Sequence, residues 1–199
     1  MRQSREAKAE THQAIITKAS RLFRERGIEG TSVGDVMQAA EKTHGGFYRH
    51  FDSKEALLVA ALERAFSDML GDIDEGLVKG PPAEAMARLI TFYLSPDRVE
   101  DIGGGCPVAA LSGDVLRSSE AVRTVFGQGA RRVIAAIASV LDGTEEERLR
   151  HAAQTFSMLA GALMIARASD PETADLVLNA ARSARPRDGT LFPHAPLDT

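Results

Sequence analysis

The sequence predicts an all-α protein: a small three-helix head joined by a long helix to a larger helical body. Three observations carry this. Apolar residues recur at three- and four-residue steps along nearly the whole chain. Alternating Val-, Ile- and Thr-rich runs, the mark of half-buried strands, are absent. Helix-capping signals also stand where one apolar stripe ends and the next begins.

A first helix is expected over about residues 10–26, with Ile15, Ala19, Leu22 and Phe23 on one face and Gly27 as its stop. Ser32, with Asp35 three residues on, caps a short second helix carrying Val33, Val36, Met37 and Ala40. A third short segment runs from Thr43 to about His50. Asp52-Ser53-Lys54-Glu55 then opens a long helix striped with Leu58, Leu62, Phe66 and Met69. Pro81-Pro82 starts a helix containing Met86, Leu89, Ile90 and Tyr93. A loop rich in Gly, Pro and Asp is expected over residues 95–105, and Pro107 opens a helix to about Leu116. A long helix follows from about Ser119 to Leu141, striped with Val122, Phe126, Val133, Ile137 and Val140. Thr144 with Glu147 forms a capping box for a helix to about Ala168, and Asp170-Pro171 caps a last helix through Ser183. The resulting division is a head at 1–55, a body at 56–184 and a loose, proline-rich tail at 185–199.

Composition narrows the class. Hydrophobic residues make up 44% and charged residues 26% of the 199, which excludes collagen-like, wholly disordered and disulfide-scaffold chains. The longest apolar-plus-glycine run, Met158 to Ala166, is half of what a membrane span needs. A charged N-terminus without an apolar core argues against a secretory signal, and the single Cys106 fits a reducing cytoplasm. The net charge of −4 is unevenly spread. Residues 1–55 hold 10 Lys/Arg against 8 Asp/Glu and three histidines, whereas residues 56–199 hold 14 against 20. A mildly basic head on an acidic body suits nucleic-acid binding.

Residues 31–58 sharpen that expectation. Two short helices around a tight turn, followed by Gly45-Gly46-Phe47-Tyr48-Arg49-His50-Phe51, suggest a helix-turn-helix, with a plain helical hairpin as the alternative. Gly45 and Gly46 permit close backbone approach to DNA, and Tyr48 places a hydroxyl within reach of a phosphate. Phe47 and Phe51 are expected to pack back onto the first two helices. Lys54 sits in the first turn of a helix, where the macrodipole disfavours a cation. A phosphate at the same helix end would account for it.

The run from Thr31-Ser32-Val33 through Gly46-Phe47-Tyr48-Arg49-His50-Phe51-Asp52-Ser53-Lys54-Glu55-Ala56-Leu57 resembles the helix-turn-helix signature of TetR-family transcriptional regulators. The resemblance covers about 50 residues and implies a one-component regulator: a repressor that leaves its DNA operator when a small ligand binds the body. It implies phosphate contacts for Ser32, Tyr48, His50 and Lys54, contacts to phosphate and base edges for Thr43 and His44, and close approach at Gly45 and Gly46. Arg49 is the side chain best suited to read a guanine edge with two hydrogen bonds. Arg2, Arg5 and Lys8 form a basic arm ahead of the first helix that could touch the minor groove or a phosphate; a disordered terminus is the favoured reading. One departure from the family pattern stands at the turn. Glu41 and Lys42 occupy positions where the family usually has a glycine and a small apolar residue, at a cost of about 1 kcal/mol if Glu41 must take positive φ.

Partners implied by the resemblance are a palindromic double-stranded DNA operator, an unknown small-molecule effector and a second copy of the chain, with no membrane. An apolar effector pocket is expected among Phe66, Met69, Phe92, Tyr93, Cys106, Leu111, Phe126, Ile137 and Met158, each of which core packing would explain as well. Cys106 precedes Pro107 at a helix start, a position that favours a thiolate; a small buried residue is the alternative. No phosphate-binding glycine loop, HExxH or CxxC pattern is present, and the five histidines show no metal-ligand spacing. No cofactor, metal site or catalytic residue is expected. The competing functional reading is a helical binding module without DNA activity; a weaker one is a thiol enzyme built on Cys106.

Dimerisation is expected through the last two helices. Residues 156–166 are apolar nearly all round, so one face is left for a partner. Phe156, Ala162, Ile165, Val177, Leu178 and Ala181 are the candidate interface, forming a four-helix bundle about a two-fold axis.

Overall fold

Capping and periodicity place the helices close to where the sequence reading puts them. The computed structural model describes the backbone of residues 5–78 and 82–184, with side chains for 5–74 and 84–184. Among these residues there are nine α-helices, one 3-10 helix and no strand. They are α1 (Arg5–Arg26), α2 (Val33–Ala39), the 3-10 helix η1 (His44–Arg49), α3 (Lys54–Val78), α4 (Pro82–Tyr93), α5 (Pro96–Glu100), α6 (Pro107–Val115), α7 (Glu120–Ala138), α8 (Glu145–Ala168) and α9 (Pro171–Ser183). The tail at 185–199, Arg2 and Pro81 lie outside the described residues.

Three differences from the sequence reading have physical causes. α1 starts at Arg5 rather than near residue 10, because its first turns are polar all round and leave no apolar period to read. Arg5 and Lys8 are therefore helical residues, not a disordered arm. The third segment is a 3-10 helix, with Gly46 N–H donating to the Thr43 carbonyl and His50 N–H to that of Phe47. Two adjacent glycines lower its α-helix propensity by about 1 kcal/mol each. The loop expected over 95–105 contains the five-residue α5, too short to show periodicity.

By packing, the described residues fall into two compact units, one within 1–69 and 101–130 and the other within 70–100 and 131–199. In the first, Ile15, Ala19 and Phe23 of α1 bury against Val36 and Met37 of α2, Phe47 and Phe51, and Leu57, Leu58 and Leu62 of α3. Leu111, Val115 and Val122 of α6 and α7 complete the same core. Each of the larger of these side chains stabilises the fold by about 1.5–3 kcal/mol relative to exposure, and Ala19 by less. This division follows packing; the one at residue 55 follows expected function.

Polar links fix segment 101–114 to α1 within that unit. Arg24, only 6% exposed, donates from Nε to the Ser20 carbonyl (3.1 Å), from Nη1 to the Gly105 carbonyl (2.9 Å) and from Nη2 to Ser20 Oγ (3.3 Å). All three guanidinium nitrogens are thus satisfied, as a buried cation requires; burial nonetheless draws its pKa below the ordinary value. Arg21 pairs with Asp101 at 2.6 Å. Asp114 of α6 accepts from the Ile28 backbone N–H at 2.9 Å, just after Gly27, whose φ of +77° ends α1. Phe66 packs edge-on to Phe126 (5.5 Å between centroids) and lies flat against Gly129, where a Cβ would approach the ring to 2.2 Å.

In the second unit α8 and α9 pack on each other, α4 on α9 and α5 on α8. Phe156, Leu159 and Leu163 of α8 are buried, as are Leu178 and Ala181 of α9. Arg167 holds the end of α5 by donating to the carbonyls of Val99 (2.9 Å) and Arg98 (2.7 Å). Arg182 donates to the Leu94 carbonyl (2.6 Å). Thr144 with Glu147 and Asp170 with Thr173 cap α8 and α9 as the sequence implies.

Candidate nucleic-acid interface

The segment 43–54 is divided cleanly between core and surface. Phe47 and Phe51 are 1% and 6% exposed and stack at 5.7 Å, anchoring η1 to the head. Tyr48, between them in sequence, is 69% exposed. Thr43, His44, Gly45 and Arg49 are also exposed, and a Cβ at Gly45 would meet nothing within 4 Å. This is the geometry that presents a backbone and a row of polar side chains to a large partner.

The turn ahead of η1 is closed despite its unusual residues. Glu41 takes φ +57°, the left-handed conformation the missing glycine would supply. Its N–H donates to the Gln38 carbonyl (3.0 Å) and the N–H of Lys42 to that of Met37 (2.8 Å). Together these form a Schellman motif at the end of α2.

Ser32, a phosphate contact by the resemblance, also caps α2. Its hydroxyl accepts from Asp35 N–H (3.1 Å) and donates to the Asp35 carboxylate, which in turn accepts from Ser32 N–H (2.8 Å). The bonds from the Ser32 hydroxyl and N–H hold the Asp35 carboxyl below the usual carboxylate range. Lys54 stands at the first turn of α3 as expected and borders an open cleft of about 520 Å³ lined also by Ile28, Glu29, Asp114 and Arg117.

One part of this surface was not legible in the sequence. His12 of α1 stacks on Phe51 (4.5 Å, 15° between planes) and stands 5.9 Å from the His50 ring. Lys8 of α1 and Lys42 of the turn join Arg49 in acting on His50. Burial first, and then the positive field of His12, Lys8, Arg49 and Lys42, lowers the His50 pKa. Contacts between residues so far apart in the chain leave no local spacing to read.

The profile of bacterial regulatory proteins of the tetR family matches residues 15–61, the helix-turn-helix and its flanks. The chain is 34% identical over 120 residues to the HTH-type transcriptional repressor DhaR of Mycobacterium sp. strain GP1, a match spanning 59% of each chain. It is 30% identical over 140 residues to the HTH-type transcriptional repressor NemR of Escherichia coli K12, covering 69% of this chain and 70% of that one. The chain belongs to the TetR family. The crystal structure of reduced E. coli NemR agrees, with a TM-score of 0.73, 26% identity, and coverage of 87% and 94%. As a TetR-family regulator this protein binds DNA through its helix-turn-helix, and the exposed row on η1 is its candidate contact surface.

The other candidate residues are scattered. Phe66, Met69, Cys106, Leu111 and Phe126 belong to the first compact unit, and Phe92, Tyr93, Ile137 and Met158 to the second. Phe66, Leu111 and Ile137 are buried to 1% exposure or less, and the void beside Leu111 has no room for a water molecule. Tyr93 packs edge-on to Phe156, and Arg98 lies over Phe92. Met158 borders an open surface groove with Arg150, Ala153, Gln154 and Ser157. Cys106 is the N-cap of α6, its Sγ accepting from Ala109 N–H at 3.4 Å.

The proposed dimer face needs correction in detail. Phe156, Ala162, Leu178 and Ala181 are 4–6% exposed in the single chain, because α8 and α9 use their small and large apolar residues to pack on each other. Val177 is half-buried. Ile165 does face outward at 48% exposure, joined by Met164 at 42% and Leu176 at 70%, which sequence reasoning did not single out. Among the described residues no helix is long and apolar enough to cross a membrane, and no group of three or more potential metal-binding side chains occurs.

Proposed function

We propose that this TetR-family protein is a homodimeric transcriptional repressor that binds a palindromic operator in the cytoplasm and is released by a small-molecule effector held in its helical body. The observation that carries the DNA-facing part is the split along residues 43–51, where Phe47 and Phe51 anchor the segment and Tyr48, Arg49 and His44 are exposed. Tyr48 and Lys54 contact phosphates, Arg49 reads a base edge, and Thr43, His44, Gly45, Gly46 and His50 complete the surface, within a head made of residues 1–55. The names of NemR and DhaR as repressors support the sign of regulation. Met164, Ile165 and Leu176 supply the apolar face that a second copy would cover. A dimer places two heads on half-sites about one helical turn apart. An effector that fits only the state with the wrong head spacing lowers DNA affinity by its differential affinity for that state.

Fluorescence anisotropy on the gene's own upstream region tests the reading. Lys54→Ala should weaken binding to every sequence and reduce the salt slope by about one, whereas Tyr48→Phe, which removes an uncharged hydroxyl, should weaken binding to every sequence and leave the slope unchanged. Arg49→Ala should cost about 1–3 kcal/mol and relax preference at one base position. Absence of binding at low salt would leave the helical module without DNA activity as the better description. Sedimentation tests the assembly: Ile165→Glu should yield monomers, and a wild-type monomer at micromolar concentration would remove the dimer.

A further inference from the structure

The histidine pair at the base of η1 is not explained by phosphate contact alone. His50 Nδ1 is buried without a hydrogen-bond partner, while the residue as a whole is only half-buried. The ring is held in place, since His12 lies 5.9 Å away and is itself stacked on the buried Phe51. The charged groups that act most strongly on His50 are cationic or potentially so: His12 and Lys8 on α1, Arg49 on its own segment and Lys42 in the turn. Such a neighbourhood disfavours a further positive charge while the site is empty. A DNA phosphate brings the missing negative charge to the same place.

We propose that His50, held beside His12 within this cationic cluster, is a proton-linked DNA contact: the head takes up a proton at this imidazole when duplex DNA docks. The inference rests on the reading of η1 as the DNA face. Its sign follows from linkage. The free-state pKa of His50 lies below the ordinary value of about 6.5, through burial first and then its cationic neighbours. A phosphate beside the ring raises it. Between the free and bound values the complex holds more protons than the free protein, so affinity rises as pH falls through that window. Above the bound value and below the free value, affinity is flat. His12 acts as a positioning residue, fixing the ring through Phe51 and adding to the field that keeps His50 neutral when DNA is absent.

The experiment uses the full-length protein and a fluorescein-labelled duplex carrying the gene's upstream region, with a mixed-sequence duplex alongside. Anisotropy at constant ionic strength should show Kd falling as pH drops from about 8 to about 6, by roughly tenfold per head for each unit by which DNA raises the pKa. The two duplexes should share this dependence, because the contact is to phosphate. Calorimetry in buffers of different ionisation enthalpy should register net proton uptake on binding by the unaltered protein. His50→Gln should flatten the pH profile whatever its absolute affinity, and His44→Gln should retain it. His12→Gln should retain the uptake with its midpoint moved to higher pH, a displacement that a purely structural role would not cause. Binding of unchanged strength across this range, with no buffer dependence, would overturn the inference while leaving the DNA face intact. Failure to bind either duplex at any pH would overturn the DNA-face reading and this inference with it.

Discussion

Replacing Glu41 by glycine should stabilise the protein. Glu41 holds φ +57° because the Schellman motif closing α2 demands a left-handed residue there. An L-residue pays about 1–2 kcal/mol for that conformation. Glycine removes that cost but loses roughly 0.4–1 kcal/mol through the greater freedom of its unfolded chain. The net gain is about 0.5–1 kcal/mol, or roughly 1–4 °C in Tm for a chain of this size. Charge makes a smaller contribution, since an anion at a helix C-terminus costs about 0.3 kcal/mol or more. Glu41→Ala isolates this, because it removes the charge and keeps the strained backbone. Urea denaturation of wild type, Glu41→Gly and Glu41→Ala should therefore rank them Gly, Ala, wild type. If the alanine variant matches the glycine variant, charge rather than backbone strain sets the energy at this turn. A glycine variant less stable than wild type would mean the motif does not impose positive φ in solution.

Three further outcomes follow from the packing and the charges. Gly129→Ala should destabilise: it gains about 1 kcal/mol of helix propensity but drives a methyl into the Phe66 ring, at about 1–3 kcal/mol; a higher Tm would refute the close contact. Asp114→Ala should cost about 1–3 kcal/mol by leaving the Ile28 N–H without its acceptor, while Asp114→Asn, which keeps an acceptor, should cost less; equal losses in chemical denaturation would count against that bond. Stability should also fall in acid in two stages. His50 has its pKa lowered by folding, by burial first, so its contribution is present above the unfolded value near 6.5 and lost as pH falls through the folded one. The cap carboxylates follow the same sign at lower pH: Asp35 is held down by the Ser32 hydroxyl and N–H, Glu147 by the Thr144 N–H and hydroxyl, and Asp170 by the Thr173 N–H and hydroxyl. Their contribution is present above about pH 4 and lost below it. Thermal melts from pH 8 to pH 3 would show both, and a flat profile between pH 7 and 5.5 would contradict the first.

Local physics sets where most of the helices begin and end. Ser32, Thr144 and Asp170 terminate helices because a side-chain oxygen three residues from a free N–H acts within one turn, so their capping is legible in the sequence. The stripe from Leu58 to Met69 is legible for the same reason, since its period is set by helix geometry alone. The candidate DNA face from Gly45 to Lys54 is legible in the sequence because its residues are contiguous. Tertiary structure decided what depends on residues far apart. α8 could be read as apolar on more than one side, but which side was covered by α9 and which stayed open at Met164 and Ile165 required the packed pair. The pairing of His12 with His50, and of Asp114 with the Ile28 N–H, joins segments whose separation erases any periodic signal. Sequence determined which helices this chain makes because helix formation is a matter of neighbours; the closeness of two helices is a matter of the whole core, and only the folded chain supplied it.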